Sequence, residues 1–140
     1  MADIHPQLQQ DCLLLGRFEL CHLLLMQDAN YPWFILVPDR EDVSEVYQMS
    51  EIDQQLLTKE SALLARVLSQ QFHADKLNIA ALGNIVPQLH IHHVVRYRHD
   101  VAWPAPVWGV TPAQPYDTRQ LQDVIGKIKP YLQDSVNFCV

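Results

Sequence analysis

Apolar residues follow two rhythms along this 140-residue chain. Behind Ser50-Glu51-Ile52-Asp53, a capping signal of the Ser-x-x-acid type, Ile52, Leu56, Leu57, Leu63, Leu64, Val67, Leu68 and Phe72 recur at three- and four-residue intervals. That spacing gathers them on one stripe and predicts a long amphipathic helix. Leu121, Val124, Ile125, Ile128 and Leu132 predict a second, C-terminal helix starting at Asp117-Thr118. Leu8, Cys12, Leu13 and Leu15 approach helical spacing ahead of Gly16, so Pro6 to Leu15 reads as a helix that ends at the glycine. The other rhythm is extended. Phe18–Met26 and Trp33–Val37, the latter closed by Pro38, flank the turn Asp28–Pro32 and read as adjacent antiparallel strands. Lys76–Leu82 and Gln88–Tyr97 read as two further strands around a turn at Gly83-Asn84. Four of the nine prolines lie between Val101 and Pro115, with Trp103 and Trp108 among them, which excludes helix and predicts an ordered loop or extended arm. The expectation is one α+β domain over residues 1–140: an antiparallel sheet, a long central helix and a C-terminal helix.

Composition narrows the function classes. Hydrophobic residues make up 49% and charged residues 19%, enough for a core and against wholesale disorder. The longest apolar runs, Leu23–Met26 and Phe34–Val37, are too short to cross a bilayer, so no membrane partner is expected. Met1–Pro6 carries no basic region followed by an apolar stretch, which points to a cytoplasmic protein. Cys12, Cys21 and Cys139 form no CxxC pair and read as reduced thiols. Sixteen acidic against ten basic residues give a net charge of −6, which argues against nucleic-acid binding but leaves room for a small anionic substrate.

Seven histidines stand out, four of them (His90, His92, His93 and His99) within ten residues. Side chains alternate along a strand, so Gln88, His90 and His92 share one face, and Leu89, Ile91 and His93 the other. Successive members of the polar row stand about 6.5–7 Å apart, close enough for two or three to meet one phosphate group. A neutral imidazole can attack phosphorus, and a second, protonated one can donate to a departing oxygen. Two other uses fit the same pattern. One is a solvent-facing polar row. The other is a zinc site, for which His99, Asp100 or a cysteine would supply the remote ligands, although no spacing selects them. His93, on the opposite face, reads as a packed or hydrogen-bonded structural residue. His5, His22, His73 and His99 have no constellation around them.

The string Lys-Leu-Asn-Ile-Ala-Ala-Leu-Gly-Asn-Ile-Val-Pro-Gln-Leu-His-Ile-His-His-Val-Val-Arg resembles the signature of the histidine triad (HIT) superfamily, His-x-His-x-His within an apolar strand after Gly-Asn-x-Val-Pro. Trp33–Pro38 resembles the family's earlier strand ending in Leu-Val-x-Pro, and Trp103–Gly109 the C-terminal segment of its bacterial members. The resemblance implies a HIT-like fold, a homodimer, and a nucleotide or nucleotide conjugate as ligand, with no cofactor and no metal. By position, His90 matches the middle histidine, the nucleophile whose other nitrogen is held by a main-chain carbonyl. His92 matches the last histidine, which contacts phosphate oxygens. Gln88 stands where the first histidine would be; it can exchange hydrogen bonds but cannot carry the charge. Trp33 stands where many members have a histidine. Asn84 and Asn78 match polar positions near the phosphates, and Asp28, or Asn30 if the loop alignment shifts, matches the ribose-hydroxyl acceptor. Arg96 is a candidate phosphate contact or an exposed strand-end arginine. Trp103 and Trp108 are expected to pack against the domain or a partner subunit, with base stacking open to one of them. The function implied is cleavage of a nucleotidyl phosphoanhydride or phosphoramidate through a nucleotidyl-histidine. The alternatives are a nucleotide-binding module of weak or no turnover and a zinc-binding structural domain.

Overall fold

The computed structural model describes residues 2–133, 138 and 139. Five strands form one antiparallel sheet in the order β1-β2-β3-β5-β4: β1 Cys12–Arg17, β2 Cys21–Met26, β3 Trp33–Pro38, β4 Lys76–Ala81 and β5 Ile91–Arg96. The helices are α1 Pro6–Asp11, α2 Glu51–Phe72 and α3 Thr118–Gln133. This is the α+β architecture that the two rhythms predict. Among the described residues, no helix is long and apolar enough to cross a membrane.

α2 starts where its cap predicts, with Ser50 accepting a hydrogen bond from the Asp53 N–H, and it ends with His73 in the left-handed conformation at φ 52°. α3 opens on a reciprocal cap, Asp117 Oδ1 accepting from the Gln120 N–H and Gln120 Oε1 from the Asp117 N–H. Both helices cover one face of the sheet, where Leu23, Leu25, Phe34, Leu36, Ile91 and Val95 meet Leu57, Leu64, Leu68, Ile128 and Leu132. Glu60 reaches from α2 into this layer and accepts from the N–H groups of Leu20 and Cys21, fixing the start of β2. On the opposite face Leu24, Trp33, Ile35, Val37 and Val94 pack under Leu8, Val86, Ala102 and Val107. The centre of the sheet is therefore covered on both sides, and β5 is buried along its whole length.

One expectation is overturned. The Pro6–Leu15 helix stops at Asp11, and Cys12–Arg17 is a strand paired with β2 from Cys12↔Met26 to Arg17↔His22. Leu13, Leu14 and Leu15 fit either period, and the ladder of hydrogen bonds to β2 decides for strand. Gly16 accordingly ends no helix. It sits at a register shift in β1, where an added Cβ would stand 2.6 Å from the Cys139 carbonyl oxygen and 2.7 Å from the Phe138 ring. Strand boundaries also tighten: Phe18–Leu20 lie outside β2, and Gln88, Leu89 and His90 precede β5.

Candidate active site

The two sides of β5 sort the histidines as alternation predicts. On the helix side, His93 is completely buried. Its Nδ1 lies 3.1 Å from the Ile91 carbonyl oxygen and its Nε2 2.7 Å from Ser61 Oγ on α2. A carbonyl oxygen only accepts, so Nδ1 carries the proton and Nε2 accepts from the serine hydroxyl. Burial pushes His93 down to about pKa 4, and its two bonds satisfy the neutral ring. It is a structural residue.

On the other side, His90 shows the same first bond, with Nδ1 2.8 Å from the Gln88 carbonyl oxygen. The proton is again on Nδ1, and Nε2 keeps its lone pair. Among the described residues, nothing bonds that nitrogen. The His92 ring lies beside it, centroids 4.9 Å apart and nearly perpendicular. His92 has the opposite proton arrangement: its Nδ1 accepts from the Trp33 indole N–H at 2.9 Å, so Nε2 bears the hydrogen. Burial pushes His92 down to about pKa 3, with His90 and His93 adding to the shift. The pair therefore offers one lone pair and one neutral N–H donor side by side.

Trp33 and Trp108, which touch His92, also line a cavity of about 440 Å³ together with Gln10, Gln27, Asp28 and Thr111; the two histidines lie behind the indoles and are not among its walls. Trp108 meets His92 and Trp33 edge-on at 5.2 and 5.8 Å. It packs against the domain as expected, and it does so on the site itself. Asp28 is buried in the cavity wall, with Oδ1 accepting from the N–H groups of Asn30 and Gln114. Asn30 points its amide to the Pro112 carbonyl, so of the two loop candidates only Asp28 faces the cavity.

The remaining candidates are placed elsewhere. The Gln88 side chain is held by the N-terminal arm: Oε1 accepts from the His5 N–H at 2.8 Å and Nε2 donates to the Asp3 carbonyl at 2.9 Å. It lines a separate cavity of about 570 Å³ with Asp3, Arg40, Glu41 and Asp42. That cavity's acidic rim suits an anion poorly. Arg96 is neither a phosphate contact nor an exposed strand end. It is 1% exposed, with Nε and Nη2 on the Asp100 carboxylate, Nη1 on Asn78 Oδ1 and a further bond to the Ala105 carbonyl. Burial alone would raise the Asp100 pKa, but the bonds from Arg96 and from backbone N–H groups outweigh it and hold the carboxyl below its ordinary 3.8. Asn78 is thereby committed to Arg96. Asn84 is exposed on the segment that leads from β4 to His90. Among the described residues, no three or more His, Cys, Asp or Glu side chains are grouped to hold a metal ion.

Sequence reading missed the roles of Trp33, the arm and Ser61. Trp33 shares the face of His92 only through the pairing of β3 with β5, which no local pattern announces. The arm's grip on Gln88 spans more than eighty residues and leaves no local trace.

Residues 7–99 match the HIT domain family. Among solved structures, a histidine triad protein from Marinobacter aquaeolei VT8 is 46% identical with a TM-score of 0.91, over 94% of this chain and 96% of that one. One from Bradyrhizobium japonicum is 41% identical with a TM-score of 0.90, over 91% and 96%. One from Sinorhizobium meliloti is 40% identical with a TM-score of 0.89, over 91% and 95%. No curated protein matches the chain.

Proposed function

This chain belongs to the HIT domain family, and on that premise we propose that it is a nucleotide-binding hydrolase acting through a nucleotidyl-His90 intermediate on a nucleotidyl phosphoanhydride or phosphoramidate. The observation that carries the reading is the state of His90: Nδ1–H is tied to the Gln88 carbonyl, and Nε2 is left with a lone pair beside a neutral donor. The nucleoside occupies the Asp28 cavity, with the carboxylate accepting from a ribose hydroxyl. His90 Nε2 attacks the α-phosphorus; the new N–P bond forms as the bond to the leaving group breaks, and that group takes the electron pair. The charge that develops on the imidazole is met through Nδ1–H by the Gln88 carbonyl. His92 Nε2–H stabilises the phosphate oxygens. Water then attacks the same phosphorus, the N–P electron pair returns to His90, and the water's proton passes to solvent.

The test is mass spectrometry of protein quenched after mixing with diadenosine tetraphosphate. A nucleotidyl adduct on wild type that is absent from His90→Ala supports the reading. Retained nucleotide without adduct or turnover supports the binding module instead, a reading favoured by the Gln88 amide being spent on the arm.

The homodimer belongs to the same proposal. β4 is an outer edge of the sheet, and Ile79 on it and Ile85 beyond it are 48% and 87% exposed. Such an edge pairs readily with another strand. Sedimentation that shows a monomer at micromolar concentration would remove this part. The compartment implied is the cytoplasm.

A further inference from the structure

We propose that Trp33 is a positioning residue: its indole N–H, donated to His92 Nδ1, holds that ring as a neutral Nε2–H donor and restricts the site to leaving groups that depart without taking a proton from it. The leaving-group half of this inference rests on the hydrolase reading above; the His92 half does not.

The argument starts from what an indole can do. Its N–H donates and never accepts. With Trp33 Nε1 at 2.9 Å from His92 Nδ1, protonating that nitrogen would set one N–H against another at hydrogen-bond distance. Both rings are buried, at 6% and 4% exposure, so water does not relieve the clash. The groups facing His92 from the packed elements offer no counter-charge. Trp33 meets it from β3, Trp108 from the loop, and Ala80 is its partner on β4. The titratable neighbours are His90 at 4.9 Å and His93 on the reverse of the strand, both of which disfavour a cation, and burial acts in the same direction. A carboxylate partner, the usual means of keeping a histidine charged, is missing from this set.

Nor can another side chain supply the proton. Gln88 spends both ends of its amide on the arm. Arg96 is closed off by Asp100, Asn78 and Ala105. A phosphoanhydride tolerates this. As His90 Nε2 bonds to the α-phosphorus, the bridging P–O bond breaks and its electron pair leaves on a phosphate oxygen that is stable as an anion. An amine cannot leave that way. Its nitrogen must gain a proton as the P–N bond breaks, and a neutral imidazole such as His92 donates a hydrogen bond through Nε2–H without releasing the proton, while no cationic acid stands beside it among the described residues. The substrate class selected is therefore a nucleotidyl phosphoanhydride.

The experiment has two arms. In protein labelled with nitrogen-15 histidine, the imidazole shifts of His92 are followed between about pH 5 and pH 8. The expected result is Nε2–H throughout, with mixed tautomers or protonation appearing in Trp33→Phe. An imidazolium or an Nδ1–H ring at position 92 in wild type overturns the inference, and so does a Trp33→Phe spectrum identical to wild type. Should Trp33→Phe fail to fold, the wild-type spectrum still decides. In the second arm, diadenosine tetraphosphate is expected to turn over at least about 100-fold faster than adenosine 5′-phosphoramidate, the lower range of what a general acid contributes. Equal rates overturn the leaving-group half. Turnover of neither above the His90→Ala level overturns the hydrolase reading and that half together, while the nitrogen shifts still test the hold of Trp33 on His92.

Discussion

His90 and His93 stand three residues apart, and each donates its Nδ1–H to the carbonyl two residues back, at 2.8 and 3.1 Å. The local geometry is the same, and both rings are left with a lone pair on Nε2. On the helix side Ser61 fills that lone pair at 2.7 Å, and the histidine becomes part of the packing. On the other side no described residue bonds it, and in the proposed reaction this is the nitrogen that attacks. Two things separate the rings: the Ser61 hydroxyl that occupies His93 Nε2, and the side of the sheet on which each nitrogen lies, His93 under the helices and His90 away from them. Backbone capture of Nδ1 is common to both and so cannot by itself mark a reactive histidine.

The largest test of this contrast exchanges the two losses. His90→Ala should lower turnover at least about 1,000-fold while leaving the melting temperature little changed, as expected for a covalent participant. His93→Ala should do the reverse: a loss of about 2–4 kcal/mol in denaturant melts from the cavity and the orphaned serine, with turnover per folded molecule retained. Matching activity losses in the two variants would break the comparison.

Acid unfolding sharpens it next. His92 and His93 are held neutral, with folded pKa values of about 3 and 4 against an ordinary 6.5. A group with a depressed folded pKa contributes stability that is fully present above its unfolded value and is lost as pH falls from there toward the folded one. Stability should therefore decline from about pH 6.5 downward, by about 2 kcal/mol for each ring by pH 5. Flat stability between pH 7 and pH 5, followed by urea melts, would contradict the buried neutral state of both.

Ser61→Ala removes only the hydroxyl. It should cost about 1–2 kcal/mol and leave turnover unchanged, since it frees a nitrogen that has no substrate within reach. The smallest effect is expected at Gln88. Gln88→His keeps at most part of the grip on Asp3 and His5, so the arm loosens for about 1 kcal/mol, and turnover moves by less than about threefold. A large gain in rate would mean that position 88 acts on the phosphate after all.

The sequence carried a good part of this arrangement. Period-two alternation alone assigned His90 and His92 to one face and His93 to the other, and three- and four-residue spacing located α2 and α3, because burial on one side of an element leaves a periodic trace. What it could not carry was any property that depends on which strands become neighbours. Trp33 meets His92 only because β3 pairs with β5 in the register Ile35↔His92. Arg96, at the end of a strand in sequence, is buried because Asp100 and the Ala105 carbonyl fold back over it. The leucines of β1 read equally well as helix until β2 supplies the ladder.

The bare carbon at Gly16 reaches further than its own strand. It lets Phe138 and Cys139 lie against the backbone, where Arg17 and Cys139 exchange both N–H···O bonds at 2.8 and 2.9 Å. Those two bonds blunt one rim of the sheet, while the rim formed by β4 stays open. In the homodimer proposed above, a wall with one open rim would join a single neighbour and stop, because two like rims would face each other and close. Any larger residue at position 16 would push Phe138 and Cys139 away from Arg17 and leave that rim, too, open to strand pairing.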